Sequence, residues 1–392
     1  MKNIFFVNKR ITIFILFILI ASIITGCSAN SIYVNTEQNS NGFVEIEDYQ
    51  NYLDIYSGMA KADNGYYFIS NSLLHYFDIS TSQSYPVCSK TNCEHNSDTC
   101  TAFLSSLNFY PVQLSYYNNA LYLLGWEQDG ANIYHNYIYQ ISLDNFKRKK
   151  AAYLFDSNGL ASVVFMIHRG YVYFSQGNLT MKENTVKLNR TKLGNTKKND
   201  SIQSVFEFTG IGSTILGLSA YGNRVFLSVA SYADEKGNGY NSSLKSIDIH
   251  TLKSKSIIEN NMFAYFANGE YLYYEKNENT VNRVNLNTGE DKFFCNIKGP
   301  CYISGDDNYL YFDNQQSIFI DENITDRNIL VIDKKTGKPV STVIPKNISD
   351  ECLFGGNDLL IFKGISEEDT DYYYAYSKAK LPEFDNDFID MN

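Results

Sequence analysis

Three cysteines and a histidine fall within thirteen residues of this 392-residue chain, in Cys88-Ser-Lys-Thr-Asn-Cys93-Glu-His95-Asn-Ser-Asp-Thr-Cys100. The C-x4-C-x-H-x4-C spacing allows one short loop to surround a single ion without help from distant chain. Thiolate and imidazole are the ligands that tetrahedral zinc prefers. Cys88, Cys93, His95 and Cys100 are therefore the candidate ligands of one structural zinc. The same cysteines could instead pin the loop through a Cys88–Cys100 or Cys93–Cys100 disulfide, leaving an odd thiol. Redox catalysis ranks last, because no C-x-x-C lies in a thioredoxin-like βαβ setting. In each reading the segment is structural first.

Which chemistry is open depends on where the protein resides. Lys2, Lys9 and Arg10 precede a nearly continuous apolar run, Ile11 to Ile24, which ends in Ile24-Thr25-Gly26-Cys27. The run is short for a bilayer span, and the three-part layout is that of a secretory signal over residues 1–26. Its ending resembles the lipobox of bacterial lipoproteins. That resemblance implies that Cys27 becomes the lipidated first residue, held by two acyl chains on the outer face of the cell membrane. Residues 27–42 are polar, rich in Asn and Ser, and read as a flexible tether. Cleavage before Cys27 takes the net charge from −10 to −13, because Lys2, Lys9 and Arg10 leave and no acid does. With no basic patch and a net field that repels phosphate, a nucleic-acid partner is excluded.

The element that must position the cysteines is a repeat. A turn of Asn, Asp or Gly followed by an aromatic strand recurs as "DNGYYFIS" from Asp63, "YNNALYLL" from Tyr117 and "HRGYVYFS" from His168. It returns as "YGNRVFLS" from Tyr221, "NGEYLYYE" from Asn268, "DDNYLYFD" from Asp306 and "GGNDLLIF" from Gly355. The central anchors Tyr67, Tyr122, Tyr173, Phe226, Tyr273, Tyr311 and Ile361 are 38 to 55 residues apart. Most copies are followed by a second alternating strand and a polar turn, such as "VNRVNLNTGED" from Val281 and "ILVIDKKTGKP" from Ile329, which is a hairpin signal. No apolar stripe of helical period is sustained outside the leader. Four strands repeated seven times are the arithmetic of an all-β, single β-propeller over residues 43–392. The ring is closed either by "GFVEIE" from Gly42 or by the tail "EFDNDFI" from Glu383.

These units resemble the propeller repeats of a domain of unknown function in Firmicute-type surface lipoproteins, and more loosely TolB-like propellers. The resemblance rests on "YLYYEKNENTVNRVNLNTGE" and the Cys-rich segment. It implies fold and address, and brings no activity with it.

On this frame Cys88 closes the last strand of the first blade, and the four candidate ligands occupy a blade-to-blade connection. Cys295 stands at the equivalent point of the fifth blade. Cys301 and Cys352 fall on inner strands of adjacent blades, as small buried hydrophobes or as a bridge. His75, His135, His168 and His250 are expected on strand surfaces.

The chain holds no P-loop, no G-x-G-x-x-G after a strand and no H-E-x-x-H. "EEDTD" from Glu367 and "DEN" from Asp321 lack the EF-hand layout and read as solvated turns. Two readings remain. One is a non-catalytic surface lipoprotein that binds a protein, peptide or glycan, with Trp126, Tyr134, Tyr232 and Tyr240 on long connections as contact residues. The other is a cell-surface hydrolase acting on carbohydrate or peptide from the central channel.

Overall fold

Runs rich in aromatic and aliphatic residues form strands buried on one face or on both, and short Asn/Asp/Gly turns force the chain straight back. The computed structural model describes Asp48 and residues 58–391, apart from 98, 105–108, 160–162, 178–179, 199, 260–263, 278, 316–326 and 382–387. The chain divides into Met1–Glu37 and Gln38–Asn392. The leader, Cys27, the tether, "GFVEIE" and "DEN" lie outside the described residues. Among the described residues, no helix is long and apolar enough to cross a membrane.

The strands follow one another as antiparallel meanders. The first sheet is β1 (Met59–Ala62), β2 (Gly65–Ser70), β3 (Leu73–Asp78) and β4 (Gln83–Pro86). The second is β5 (Phe109–Tyr117), β6 (Ala120–Gln128), β7 (Tyr134–Ser142) and β8 (Arg148–Ser157). A seven-stranded sheet follows: β9 (Phe165–His168), β10 (Tyr171–Gln176), β11 (Glu183–Lys192), β12 (Gln203–Tyr221), β13 (Arg224–Tyr232), β14 (Asn241–Asp248) and β15 (Ser254–Glu259). Next is β16 (Tyr265–Asn268), β17 (Tyr271–Asn277), β18 (Thr280–Asn285) and β19 (Asp291–Asn296). Then come β20 (Tyr302–Gly305), β21 (Tyr309–Asp313), β22 (Ile329–Asp333) and β23 (Pro339–Val343). The last sheet is β24 (Glu351–Phe354), β25 (Leu359–Ile365), β26 (Asp371–Ser377) and β27 (Ile389–Asp390).

Separate four-stranded units were expected throughout, and β12 departs from that. Its first part pairs with β11 and its second part with β13, with Ile211 facing both. The run from Gln203 to Tyr221 contains no proline or polar turn to break it. The strand shifts register at Ile211/Thr214. Gly212 there sits at φ 59°, and a Cβ on it would come within 2.9 Å of the Tyr232 ring. A residue with a side chain would be strained at that bend.

The core lies between sheets. One cluster packs Ala60 and Leu74 against Leu121 and Leu123. The next packs Leu124 and Leu154 against Phe165 and Phe174. Within the seven-stranded sheet, Tyr173 and Leu188 meet Leu227 and Ile247. Phe226 and Leu244 then meet Leu272 and Tyr274, Tyr273 and Cys295 meet Leu310 and Phe312, and Tyr311 and Val331 meet Leu360 and Phe362. Finally Leu359, Ile361 and Tyr373 pack on Tyr66 and Phe68 of the first sheet, so the order closes on itself. A closed circle of antiparallel meanders, five of four strands and one of seven, packed face to face is β-propeller architecture. The tail supplies the outer strand of the last sheet, because β27 pairs with β26.

The turn after the third strand is held the same way in several sheets. Asp78 Oδ1 accepts from the N–H groups of Ser80 and Thr81, Asp248 from His250 and Thr251, Asn285 from Asn287 and Thr288, and Asp333 from Lys335 and Thr336. Short side chains that mimic a backbone turn explain why Asp and Asn end these strands.

Candidate metal centre

Strands alternate in direction, so the second-to-third turns and the connections between sheets share one face. The connection from β4 to β5 carries the cysteines. It leaves the sheet at Val87, whose N–H donates to Leu74 O (2.8 Å), and Cys88 N–H turns back to Pro86 O (2.7 Å). Asn92 and His95 adopt φ of 57° and 54°, left-handed conformations that reverse the chain twice within four residues. Cys100 is buried, and its N–H donates to Ser97 O (2.8 Å). The exit runs alongside β3: Leu74 N–H donates to Ala102 O (2.9 Å), Leu104 N–H to Ser72 O (2.9 Å), and Leu73 bridges Phe103. Thr101 Oγ1 donates to Val87 O (3.0 Å), tying exit to entry. Arg148 of β8 donates from Nη2 to the carbonyls of Thr101 and Phe103, the latter at 2.9 Å, and so fastens the loop to the second sheet.

These pins bring one ligand atom each from Cys88, Cys93, His95 and Cys100 within 4.8 Å of one another. His95 Nδ1 lies 3.2 Å from Cys100 Sγ. Around a tetrahedral zinc, with Zn–S about 2.3 Å and Zn–N about 2.0 Å, neighbouring ligand atoms stand roughly 3.5–3.8 Å apart. The cluster therefore has the donor types and nearly the dimensions of a closed, four-protein-ligand site. Burial pushes the Cys88 thiol up, but hydrogen bonds from Lys90 N–H, Thr101 and the neighbouring thiols outweigh it and bring it down to about 6. Burial pushes Cys100 up. His75 beneath the loop is pushed down, first by burial and then by the charge of His95. All three cysteines are free thiols.

The other cysteines are core residues. Cys295 and Cys301 pack in one cluster and Cys352 in the next, on the other side of the β20–β23 sheet. A Cys301–Cys352 bridge is thus ruled out by the intervening sheet. Burial raises all three thiols, Cys295 to about 12.

The four aromatic contact candidates divide between two hairpins. Trp126 and Tyr134 belong to β6 and β7 themselves, because those strands extend to Gln128 and from Tyr134, leaving only 129–133 as turn. Asp129 Oδ1 accepts from Ala131 and Ile133 N–H. His135 lies between Asp156 (2.6 Å) and Asp129 (3.5 Å). Burial raises the Asp156 carboxyl, but Lys198, His135 and Tyr153 outweigh it and hold it at about 2. Tyr232 ends β13 and meets Tyr240 edge-on at 5.6 Å, and Tyr240 is 43% exposed.

One histidine expected on a strand surface is buried instead. His168 is 1% exposed, and its Nε2 is 2.8 Å from Gly222 O. Burial, with Arg169 next to it, pushes its imidazole down to about 3.

Sequence reasoning missed a set of buried charges. Asp313 and Arg327, each 1% exposed in the side chain, form a two-point pair at 3.1 and 2.7 Å. Lys378 contacts Asp306 at 3.2 Å, and the buried Lys61 contacts the partly exposed Asp358 at 3.0 Å. Each acid lies at or near a strand end in a turn-like sequence, where a carboxylate is ordinary, so no local signal marks its pairing.

No family model matches the sequence, and no curated protein matches it. Among solved structures, the chain is similar to an oligogalacturonate lyase in complex with manganese, at 9% identity and TM-score 0.46, over 77% of this chain and 82% of that one. It is similar to an acylaminoacyl peptidase of Pyrococcus horikoshii at 11% identity and TM-score 0.45, over 73% of this chain and 46% of that one. A mitotic checkpoint complex chain matches at 10% identity and TM-score 0.46, over 87% of this chain and 93% of that one. At such scores these likenesses carry nothing about activity.

Proposed function

We propose that this chain is an exported, lipid-anchored binding module: a seven-bladed propeller whose first inter-blade connection is closed by a structural zinc. The observation that carries the metal reading is the convergence of three sulfurs and one imidazole nitrogen within 4.8 Å. The seven-blade count follows from giving β12 to two blades, as its pairing with both β11 and β13 suggests. Cys27 is the membrane anchor, in the manner of the Firmicute-type lipoproteins that the leader resembles. The ligand, a protein, peptide or glycan, meets the face that carries the cysteine loop and the two aromatic hairpins.

Binding is favoured over hydrolysis by the state of the buried acids. A channel hydrolase needs a carboxylate or histidine poised to exchange a proton. Asp306 and Asp313 are instead committed to Lys378 and Arg327. Elemental analysis of protein purified without added metal should give about one zinc per chain, lost in Cys93→Ser. A Cys88–Cys100 or Cys93–Cys100 disulfide in native protein, found by mass spectrometry, would replace the metal with a bridged loop. Cys27→Ala should release the protein from membranes, and unchanged fractionation would refute the anchor.

A further inference from the structure

The turns from first to second strand lie on the face opposite the cysteine loop. Two of them, from β9 to β10 and from β12 to β13, are fastened to each other, because His168 Nε2 donates to Gly222 O (2.8 Å). Their backbones are left-handed: Arg169 and Gly170 stand at φ of 51° and 77°, and Gly222 at 58°. One carboxylate, that of Asp48, is clasped between them. Its Oδ1 accepts from Gly222 N–H (2.8 Å) and its Oδ2 from Arg169 Nη2 (2.9 Å), and the residue is 0% exposed. Burial and then the Asp48 charge push the adjacent Tyr221 hydroxyl up to about 12. Pulling Asp48 away would strand a largely buried guanidinium, so the clasp is a fixed point.

Asp48 precedes β1, and β1 starts on the other face. That strand runs from Met59 towards the first-to-second turn at Asp63 and Asn64, so Met59 stands at its cysteine-loop end. Counted from β1 alone, the chain coming from Cys27 would join the ring on the cysteine face. The clasp moves that point to the opposite face, beside the inner turns of two sheets.

We infer that the Asp48 clasp sets how the protein stands on the membrane: the face opposite the cysteine loop is turned to the lipid bilayer, and the cysteine loop and aromatic hairpins are presented away from it. This rests on the reading of Cys27 as the lipid anchor, and it gives the proposed ligand-binding face its access to the outside. Cys27 precedes Asp48 by 21 residues, which span at most about 70 Å. A folded unit of this size has a radius of gyration of about 20 Å. A link of that length easily reaches a bilayer on the clasp side. One on the cysteine side could be reached only by a link drawn over the rim and towards full extension, which few chain conformations allow.

The test uses the mature lipidated chain in vesicles whose headgroups carry an energy acceptor. A single fluorophore is attached through an azide-bearing residue introduced at Lys335, exposed in the β22–β23 turn on the clasp side, or at Lys236, exposed in the β13–β14 hairpin on the cysteine side. Transfer from the Lys335 position should be roughly threefold more efficient, since the thickness of a ring in a unit of this size separates the two positions. Asp48→Ala should bring the two efficiencies together, and Asp48→Asn, which keeps the side-chain shape, should narrow the difference even where the Ala variant fails to fold. Equal transfer in the unaltered chain, stronger transfer from Lys236, or an undiminished difference in the Asp48 variants would each overturn the assignment. Protein that does not float with the vesicles refutes the Cys27 anchor and the assignment with it, an outcome read by flotation before any dye is excited.

Discussion

Two connections between neighbouring sheets solve the same problem with different chemistry. The first, from β4 to β5, and the fifth, from β23 to β24, lie on the same face and must cover the ends of two sheets. The fifth is held by hydrogen bonds to a buried carboxylate. Asp350, 1% exposed, accepts from Tyr372 (2.6 Å), Tyr374 (2.7 Å) and Asn347 N–H (3.0 Å). Tyr374 in turn accepts from Lys346 N–H (2.8 Å), Tyr376 donates to Ile344 O (3.0 Å), and Arg327 donates to Ile348 O (3.0 Å). Those partners come from β26 and from Arg327, far along the chain. The first connection has pins at both ends, but its middle, from Ser89 to Thr99, is tied mainly by its own cysteines and histidine. A connection that can borrow buried tyrosines from its neighbour needs no ion. The proposed zinc would cross-link the connection that has no such tyrosines, as staples do in small, core-poor segments.

The largest effect should come from breaking the fifth connection at its support. Arg327→Ala strands the Asp313 carboxylate in a 1%-exposed site and removes the bond to Ile348. Losing one partner of a buried pair costs about 3–5 kcal/mol. Denaturant unfolding should show a matching fall in stability with or without chelator. A loss no larger than that of a surface substitution would mean that this connection does not depend on the pair.

Stripping metal should affect only the first connection. With a strong chelator, limited proteolysis should cut between Cys88 and Cys100 while the rest of the chain survives. Tm should fall by roughly 3 °C, corresponding to about 2 kcal/mol for a domain of this size. Protection of the loop in the presence of chelator would remove the contrast, because the loop would then be self-supporting.

The smallest effect is an acid dependence that belongs to neither connection and must be subtracted from both. His168 holds a proton in the unfolded chain below about pH 6.5 but in the folded protein only below about 3. The unfolded state binds the extra proton in that window, so stability is complete above about 6.5 and declines as the pH falls towards 3. The expected slope is about 1.4 kcal/mol per pH unit once the pH is well below 6.5. His168→Gln should flatten the Tm-versus-pH curve between pH 6 and 4.5. A curve of unchanged slope would place the acid sensitivity elsewhere.

The repeat was legible because its signals are local. Asn118 and Asn119, at φ of 46° and 54°, form a tight turn that the sequence "YNNA" announces, and the anchors Tyr122, Tyr173, Phe226, Tyr273, Tyr311 and Ile361 are all buried. The cysteine cluster was legible for the same reason, since its four ligands lie within thirteen residues. Blade boundaries were less so. Nothing between Gln203 and Tyr221 announces that one strand pairs along its length first with β11 and then with β13, because pairing is decided by which neighbours lie alongside.

By itself the sequence determined the strands, their turns and the composition of the cysteine loop, because alternation, left-handed turn residues and short-range spacing of the candidate ligands act over a few residues. Tertiary structure alone decided which charges are buried. Asp313 finds Arg327 fourteen residues away, and Lys378 finds Asp306 on the preceding sheet. Burial and pairing of a charge depend on what lies across a sheet-to-sheet interface, and neighbours in sequence do not specify that surface.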